Sequence, residues 1–520
     1  MYGLTEMLRS AAASRPRAAS TRCNDRDRTW AETRDRVSRL AGALKGLGVG
    51  AGERVAILAL NSDRYTEFLS AVWWAGAVVV PMNIRWTAAE NAYSLENSEA
   101  AVLFVDRAFA PMVREIQAAA PGVTQLVFCD DGPPPDGMTA YEALIEGGAP
   151  CPDAEAGGED LAGLYYTGGT TGFPKGVMIS HRALWYNNLV TAKILNIEPE
   201  HVILHAAPMF HMADSCQGGA ASIVGATHAY IPRFDPEAAM AAIETHGVTH
   251  TVMVPTMIAM LLRHQGFAPE RLKSLRVIGY GGSSIPRGVL AEALEKLPHV
   301  GFTQLYGQTE MAPVVTVLPP GYHRLEGERS GKLASAGRPV PGCEVRIVDE
   351  TGADAAPGEV GEIVARSPGA MHGYWRLEEQ TAATLQDGWV RTGDGAYRDE
   401  DGFIFIVDRM KDMIVTGGEN VFTAEVESAI STHPAVAEVA VIGIPSDRWG
   451  EEVHAIVVLR AGQALTIAEI VAHCRPLIAN YKHPRSLTVR SETLPLSGAG
   501  KVLKRDLRAP FWEGHSRRVN

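Results

Sequence analysis

A chain of 520 residues that is 46% hydrophobic and 21% charged has material for a large core and for more than one domain. Its formal charge of −12 excludes the broad basic footprint of a nucleic-acid or anionic-membrane binder, so an anionic ligand must be held by a local site. The six cysteines (Cys23, Cys129, Cys151, Cys216, Cys343 and Cys474) are scattered without a CxxC pair, which argues against a disulfide framework or structural zinc and for a reducing, cytoplasmic setting.

In chain order, "LTEMLRSAAAS" from Leu4 reads as a helix of the mature protein, since the N-terminus lacks the apolar core of a secretory signal. "RVAILAL" from Arg54, the helical "SDRYTEFLSAVWWAG" and "AVVVPMN" predict a βαβ unit on a buried parallel sheet. The longest apolar stretch, "AVWWAGAVVVPM" from Ala71, is too short to span a bilayer, so no membrane span is expected. Further strands are predicted at "AAVLFVD", "QLVFCDD", "VTHTVMVP" and "LRVIGYGG", which makes the architecture α/β with ligands at the carboxyl ends of strands. After "VDRMKD" the texture changes to shorter strands, "AEVAVIGI", "EEVHAIVVL" and "SLTVR", around a helix near "TIAEIVAHCRPLIAN". This predicts a large domain over 1–410 and a small α+β domain over 411–520, with the joint near Lys411.

Between the strand "LAGLYYT" and the helix "HRALWYNNLVTAKIL" stands "TGGTTGFPKG". Glycines let backbone N–H groups approach a phosphate, the threonines Thr167, Thr170 and Thr171 add hydroxyls, and Lys175 adds a charge. No lysine directly follows the last glycine, so this is not a Walker loop. A plain surface hairpin would explain the glycines but not the threonines and lysine together.

The loop closely resembles the signature loop of the adenylate-forming superfamily, which includes acyl-CoA synthetases, firefly luciferase and peptide-synthetase adenylation domains. The resemblance continues in the family's order through "PMFHM", "GYGGSSIP", "QLYGQTE", "RTGD", "VDRMKDMIVTGGENV" and "LPLSGAGK", and so covers essentially the whole chain. One departure is Gly168, where the usual pattern has serine. The resemblance implies a large N-terminal adenylate-forming domain with parallel and mixed sheets, followed by a small mobile C-terminal domain. It also implies a reaction: ATP and a carboxylic acid give acyl-AMP and pyrophosphate, and a thiol, here CoA, then takes the acyl group.

By the same resemblance, Thr167, Gly168, Gly169, Thr170, Thr171, Gly172 and Lys175 would surround the phosphates. Gly281, Gly282 and Ser283 would line the adenine, with Tyr306 stacked on it and Gly307 and Gln308 beside it. Thr309 would touch the α-phosphate and Glu310 would hold Mg²⁺, a role suited to a hard oxygen ligand. Asp394 and its companion Arg409 would take the ribose. Lys501, on a small glycine- and serine-rich loop, would bridge the substrate carboxylate and the α-phosphate during adenylation, then be withdrawn by rotation of its domain.

His211 falls at the aromatic position between the acyl and pantetheine tunnels. It is grouped with Lys501, Glu310 and Thr309 among the catalytic candidates, without an acid–base role. Gly417, Gly418, Trp449 and Arg85 would serve CoA, with Tyr481 and His483 as weaker candidates. The acyl pocket would take in His211, Ala213, Asp214, Met311 and Ala312, whose apolar majority favours a medium- to long-chain or bulky hydrophobic acid. Asp214 leaves an aryl acid open as the alternative, and carrier-protein loading is a third. A small-molecule acid, ATP and CoA are the expected partners, with a homodimer left open.

Overall fold

The computed structural model describes residues 3–167, 174–409, 412–417, 419–446, 448–497 and 502–513, without the side chains of Asp408, Arg409 and Asn420. Valine-rich runs buried on both faces form the first sheet. Arg54–Leu58 lies parallel between Val78–Pro81 and Val102–Val105, with Val55 beside both Val79 and Val102, and Gln125–Phe128 follows. The helix Asp63–Trp74, capped by Ser62, makes the crossover and buries Phe68, Ala71 and Val72. This is the expected βαβ unit. The sheet continues through Leu161–Thr167 and Lys175–Ser180 to the two-residue edge strand Gly373–Tyr374.

A second sheet has a parallel run: Thr227–Tyr230, Val202–His205, His250–Met253, Val277–Gly281 and Gly301–Gly307. Antiparallel Val314–Leu318 extends it. The helices His181–Ile194 and Met212–Val224 join the two sheets. Ala183 and Leu184 of the first helix belong to the core under the first sheet, whereas Val190 and Ala192 pack with Cys216, Ala220 and Leu305 under the second. A third, antiparallel sheet holds Glu344–Val348, Gly361–Arg366, Trp389–Arg398 and Ile404–Arg409.

The C-terminal part is α+β. Gly450–Leu459 pairs antiparallel with Val436–Ser446 and parallel with Ser486–Arg490. The helices Thr423–Ser431 and Ile467–Cys474 add Val426, Ile430, Ile470 and Cys474 to a core with Val441, Val453 and Val457. The predicted strands and helix of this part are all present. Among the described residues, no helix is long and apolar enough to cross a membrane.

Candidate active site

Thr167 and Lys175 stand opposite each other where Leu161–Thr167 pairs antiparallel with Lys175–Ser180. Gly168, Gly169, Thr170, Thr171 and Gly172 lie outside the described residues. The setting corrects the strand–turn–helix expectation: these residues join two strands of a hairpin, and the helix starts only after the second strand. Its first turn is already served by Ser180 Oγ, which accepts from the Ala183 N–H at 3.2 Å. The strand Lys175–Ser180 therefore stands in the sequence between the glycine-rich segment and the N–H groups of that helix's first turn.

The strand Gly301–Gly307 delivers the next group. A Cβ at Gly307 would lie 1.7 Å from the Pro313 carbonyl oxygen, so a side chain there has no room. That oxygen accepts from the Gln308 N–H at 3.0 Å, and the fold-back presents Thr309 and Glu310 half-buried at the strand's carboxyl end. Glu310 Oε1 accepts from the Tyr374 hydroxyl at 2.9 Å. Tyr374 also offers its ring to Lys175, whose Nζ is 5.0 Å from the ring centroid. The loop's cation and the turn's carboxylate thus meet on one side chain that sequence reasoning did not single out. The only hint was "HGYW", an aromatic pair after a glycine.

A magnesium ion arriving with phosphates fits this arrangement, because it binds through one or two carboxylates plus phosphate and water oxygens. The described residues contain no group of three or more His, Cys, Asp or Glu able to hold a metal by themselves.

The Tyr306 hydroxyl donates to Asp394 Oδ2 at 2.8 Å, which joins two predicted residues from different sheets. Asp394 is buried, and its N–H donates to Thr392 Oγ1 at 3.1 Å. In the pairing of Trp389–Arg398 with Ile404–Arg409, Asp394 sits opposite Arg409, whose side chain is outside the described set. Gly281 ends its strand beside Leu305, one residue before Tyr306; Gly282 follows in a left-handed conformation, and Ser283 is exposed.

His211 caps the helix Met212–Val224, its Nδ1 accepting from the Ala213 N–H at 3.2 Å, with the Phe210 ring edge-on at 6.2 Å. Ala213 is half-buried and Ala312 buried, while Met311 is fully buried among Cys216, Leu305 and Val252.

Asp214 departs from the expected substrate contact, for both its oxygens are engaged. Oδ2 takes His205 Nδ1 at 2.5 Å and Oδ1 takes Gln217 Nε2 at 2.8 Å. The chain of contacts continues from His205 Nε2 to His228 Nδ1 at 2.9 Å and from His228 Nε2 to Ser222 Oγ at 3.1 Å. Satisfying every atom with neutral rings makes Ser222 donate to His228, His228 to His205, and His205 to Asp214. Burial, with His205 alongside, holds His228 well below the usual histidine range. This array borders a cavity of about 50 Å³ behind the helix, also lined by Met7, Trp30 and Leu184. The sequence groups Asp214 with the residues that follow His211, and nothing in the local pattern announces its partner from a neighbouring strand.

In the C-terminal part, Gly417 and Trp449 meet directly. Gly417 has φ +60° and donates its N–H to the Trp449 carbonyl at 2.8 Å. A Cβ there would lie 2.9 Å from the indole. Guanidinium groups of Arg448 and Arg485 lie 4.7 and 4.5 Å from the indole centroid. Neither arginine was anticipated. Tyr481 is exposed and His483 buried. Arg85 is exposed in the N-terminal part, its N–H on Asn83 Oδ1, and no described contact joins it to Trp449. Lys411, Gly418 and Lys501 lie outside the described residues; Leu496 and Val502 pair across the segment that carries Lys501.

The family described as AMP-binding enzyme matches residues 8–375, and its C-terminal domain matches residues 425–501. A fatty acid–[acyl-carrier-protein] ligase from Streptomyces coeruleorubidus is 35% identical over 98% of this chain and 96% of its own. A feruloyl-CoA synthase from an Amycolatopsis species is 37% identical over 95% of this chain and 96% of its own. The crystal structure of ATP-bound MatB from Rhodopseudomonas palustris superposes with a TM-score of 0.88 at 28% identity, covering 99% of this chain and all of that one.

Proposed function

This chain belongs to the AMP-binding enzyme family and is an AMP-forming acid–thiol ligase, and from that premise we propose that it joins a medium- to long-chain or similarly bulky hydrophobic acid to CoA. An oxygen of the substrate carboxylate attacks the α-phosphorus of ATP, and pyrophosphate leaves. The CoA sulfur then attacks the acyl carbonyl, AMP leaves, and the thiol proton passes to solvent.

Lys175 meets the pyrophosphate end, Tyr306 and Asp394 take adenine and ribose, and Lys501 supplies the second cation between the two anionic reactants. Glu310 would hold Mg²⁺, which when bound neutralises phosphate charge. The buried setting of Met311 and Ala312, with Met212 buried beside the half-buried Ala213, supports an apolar acyl group.

The choice of CoA over a carrier protein rests on one observation, the Trp449 indole with the Arg448 and Arg485 guanidinium groups 4.7 and 4.5 Å from its centroid. A stacking surface beside two cations suits a phosphorylated nucleotide, whereas a carrier protein presents only its pantetheine arm inside the enzyme. Trp449→Ala is expected to raise the KM for CoA roughly tenfold, by loss of stacking, and to leave acid-dependent pyrophosphate release unchanged. An unchanged KM for CoA would remove this support and favour carrier-protein loading. The likeness to a feruloyl-CoA synthase favours an aryl acid as the second reading.

A further inference from the structure

We propose that Tyr374 is a positioning residue that holds the Lys175 ammonium and the Glu310 carboxylate in place yet apart, ready for an incoming nucleotide; the proposal rests on the nucleotide-site reading above. Its backbone is fixed from two sides. Tyr374 pairs with Val177 across the edge of the first sheet, and its N–H donates to Thr381 Oγ1 at 2.9 Å. The neighbouring Trp375 N–H donates to the Gly176 carbonyl at 2.8 Å, which ties this edge to the strand that begins with Lys175. The tyrosine side chain is buried, so few other orientations are open to it.

Two contacts then act through one phenol. The hydroxyl donates to Glu310 Oε1 at 2.9 Å, and the ring draws the Lys175 ammonium to 5.0 Å from its centroid. Donation to a carboxylate enriches the ring in electron density, which strengthens its attraction for a cation, so each contact supports the other. A lysine and a glutamate sharing one neighbour would, without a spacer, close into an ion pair. That pair would occupy both the charge needed by phosphate and the oxygen needed by a metal. With tyrosine between them, Glu310 Oε2 has no hydrogen bond from the described residues. Among the described residues Lys175 is held by a cation–ring contact, which phosphate oxygens can displace with stronger, charge-assisted bonds.

Titration calorimetry of ATP, in the absence of acid and thiol, tests this with excess Mg²⁺ and again with the metal chelated. Tyr374→Phe keeps the ring and loses the hydroxyl. It is expected to weaken ATP binding roughly threefold to tenfold with Mg²⁺ and by less than about twofold without it. Tyr374→Leu loses the ring as well and is expected to weaken binding under both conditions. If the leucine variant does not fold, the phenylalanine variant decides alone through its metal dependence.

Wild-type affinity of Tyr374→Phe with Mg²⁺, or an equal loss with and without the metal, overturns the proposal. Because no acid takes part, a wild-type protein that bound ATP but activated none of the acids offered would fail as an acyl-CoA ligase without altering this result.

Discussion

Lys501 carries the sharpest expectation at the scale of single residues, since both reactants of the first step are anions and one mobile cation would reconcile them. Lys501→Ala is expected to lower acid-dependent pyrophosphate release by about a thousandfold, in line with the loss of an electrostatic contact made in the transition state. Transfer from supplied acyl-AMP to CoA should stay within a few fold of wild type, because the proposed role of the lysine is confined to the first step. Equal loss in both half-reactions would contradict the assignment.

A grouping was legible where a motif holds its residues close in sequence, as in the turn that carries Thr309 and Glu310. It was illegible where the partner comes from elsewhere in the fold. Tyr374 reaches Glu310 across 64 positions, and Asp214 finds His205 on a separate strand, so no local spacing could announce either pair.

At the scale of elements, the turn after Gly301–Gly307 is set by a glycine. With its would-be Cβ 1.7 Å from the Pro313 carbonyl oxygen, Gly307→Ala requires the fold-back to open. A stability loss of more than about 2 kcal/mol is expected, together with weakened ATP binding, and thermal unfolding with and without ATP measures both. A variant as stable as wild type that binds ATP equally well would show that the turn is not held as described.

Strands buried on both faces read clearly from sequence, because "RVAIL" and "VVVP" carry no polar alternation. The strand Lys175–Ser180 did not. It is short, starts with lysine and glycine, and runs straight into the helix His181–Ile194, so glycine loop and helix looked adjacent when a strand separates them.

On the scale of the whole molecule, the buried histidines couple stability to pH. Burial holds His181, His250 and His323 down to about 4, and His228 well below its usual range. These rings stay neutral in the folded chain but take up protons on unfolding below pH 6.5, their ordinary value. The stability they contribute is fully present above that pH and is lost as pH falls from 6.5 toward 4. Each contributes a slope of about 1.4 kcal/mol per pH unit inside that window. Denaturant midpoints at pH 7.5, 6 and 5 should fall steadily below pH 6.5; a flat profile would show that the rings are charged or exposed in the native state.

The two-part organisation and its α/β and α+β textures were visible from strand length and helix spacing alone. The third, antiparallel sheet was not, because strands such as Glu344–Val348 and Trp389–Arg398 mix charged residues and glycine with their apolar positions.

Acid-dependent pyrophosphate release across fatty acids from C2 to C18, benzoates and hydroxycinnamates, each with and without CoA, decides between the proposed substrates. A maximum at medium or long chain that needs CoA for steady turnover is expected. A preference for ring acids, or turnover indifferent to CoA, would contradict the proposal.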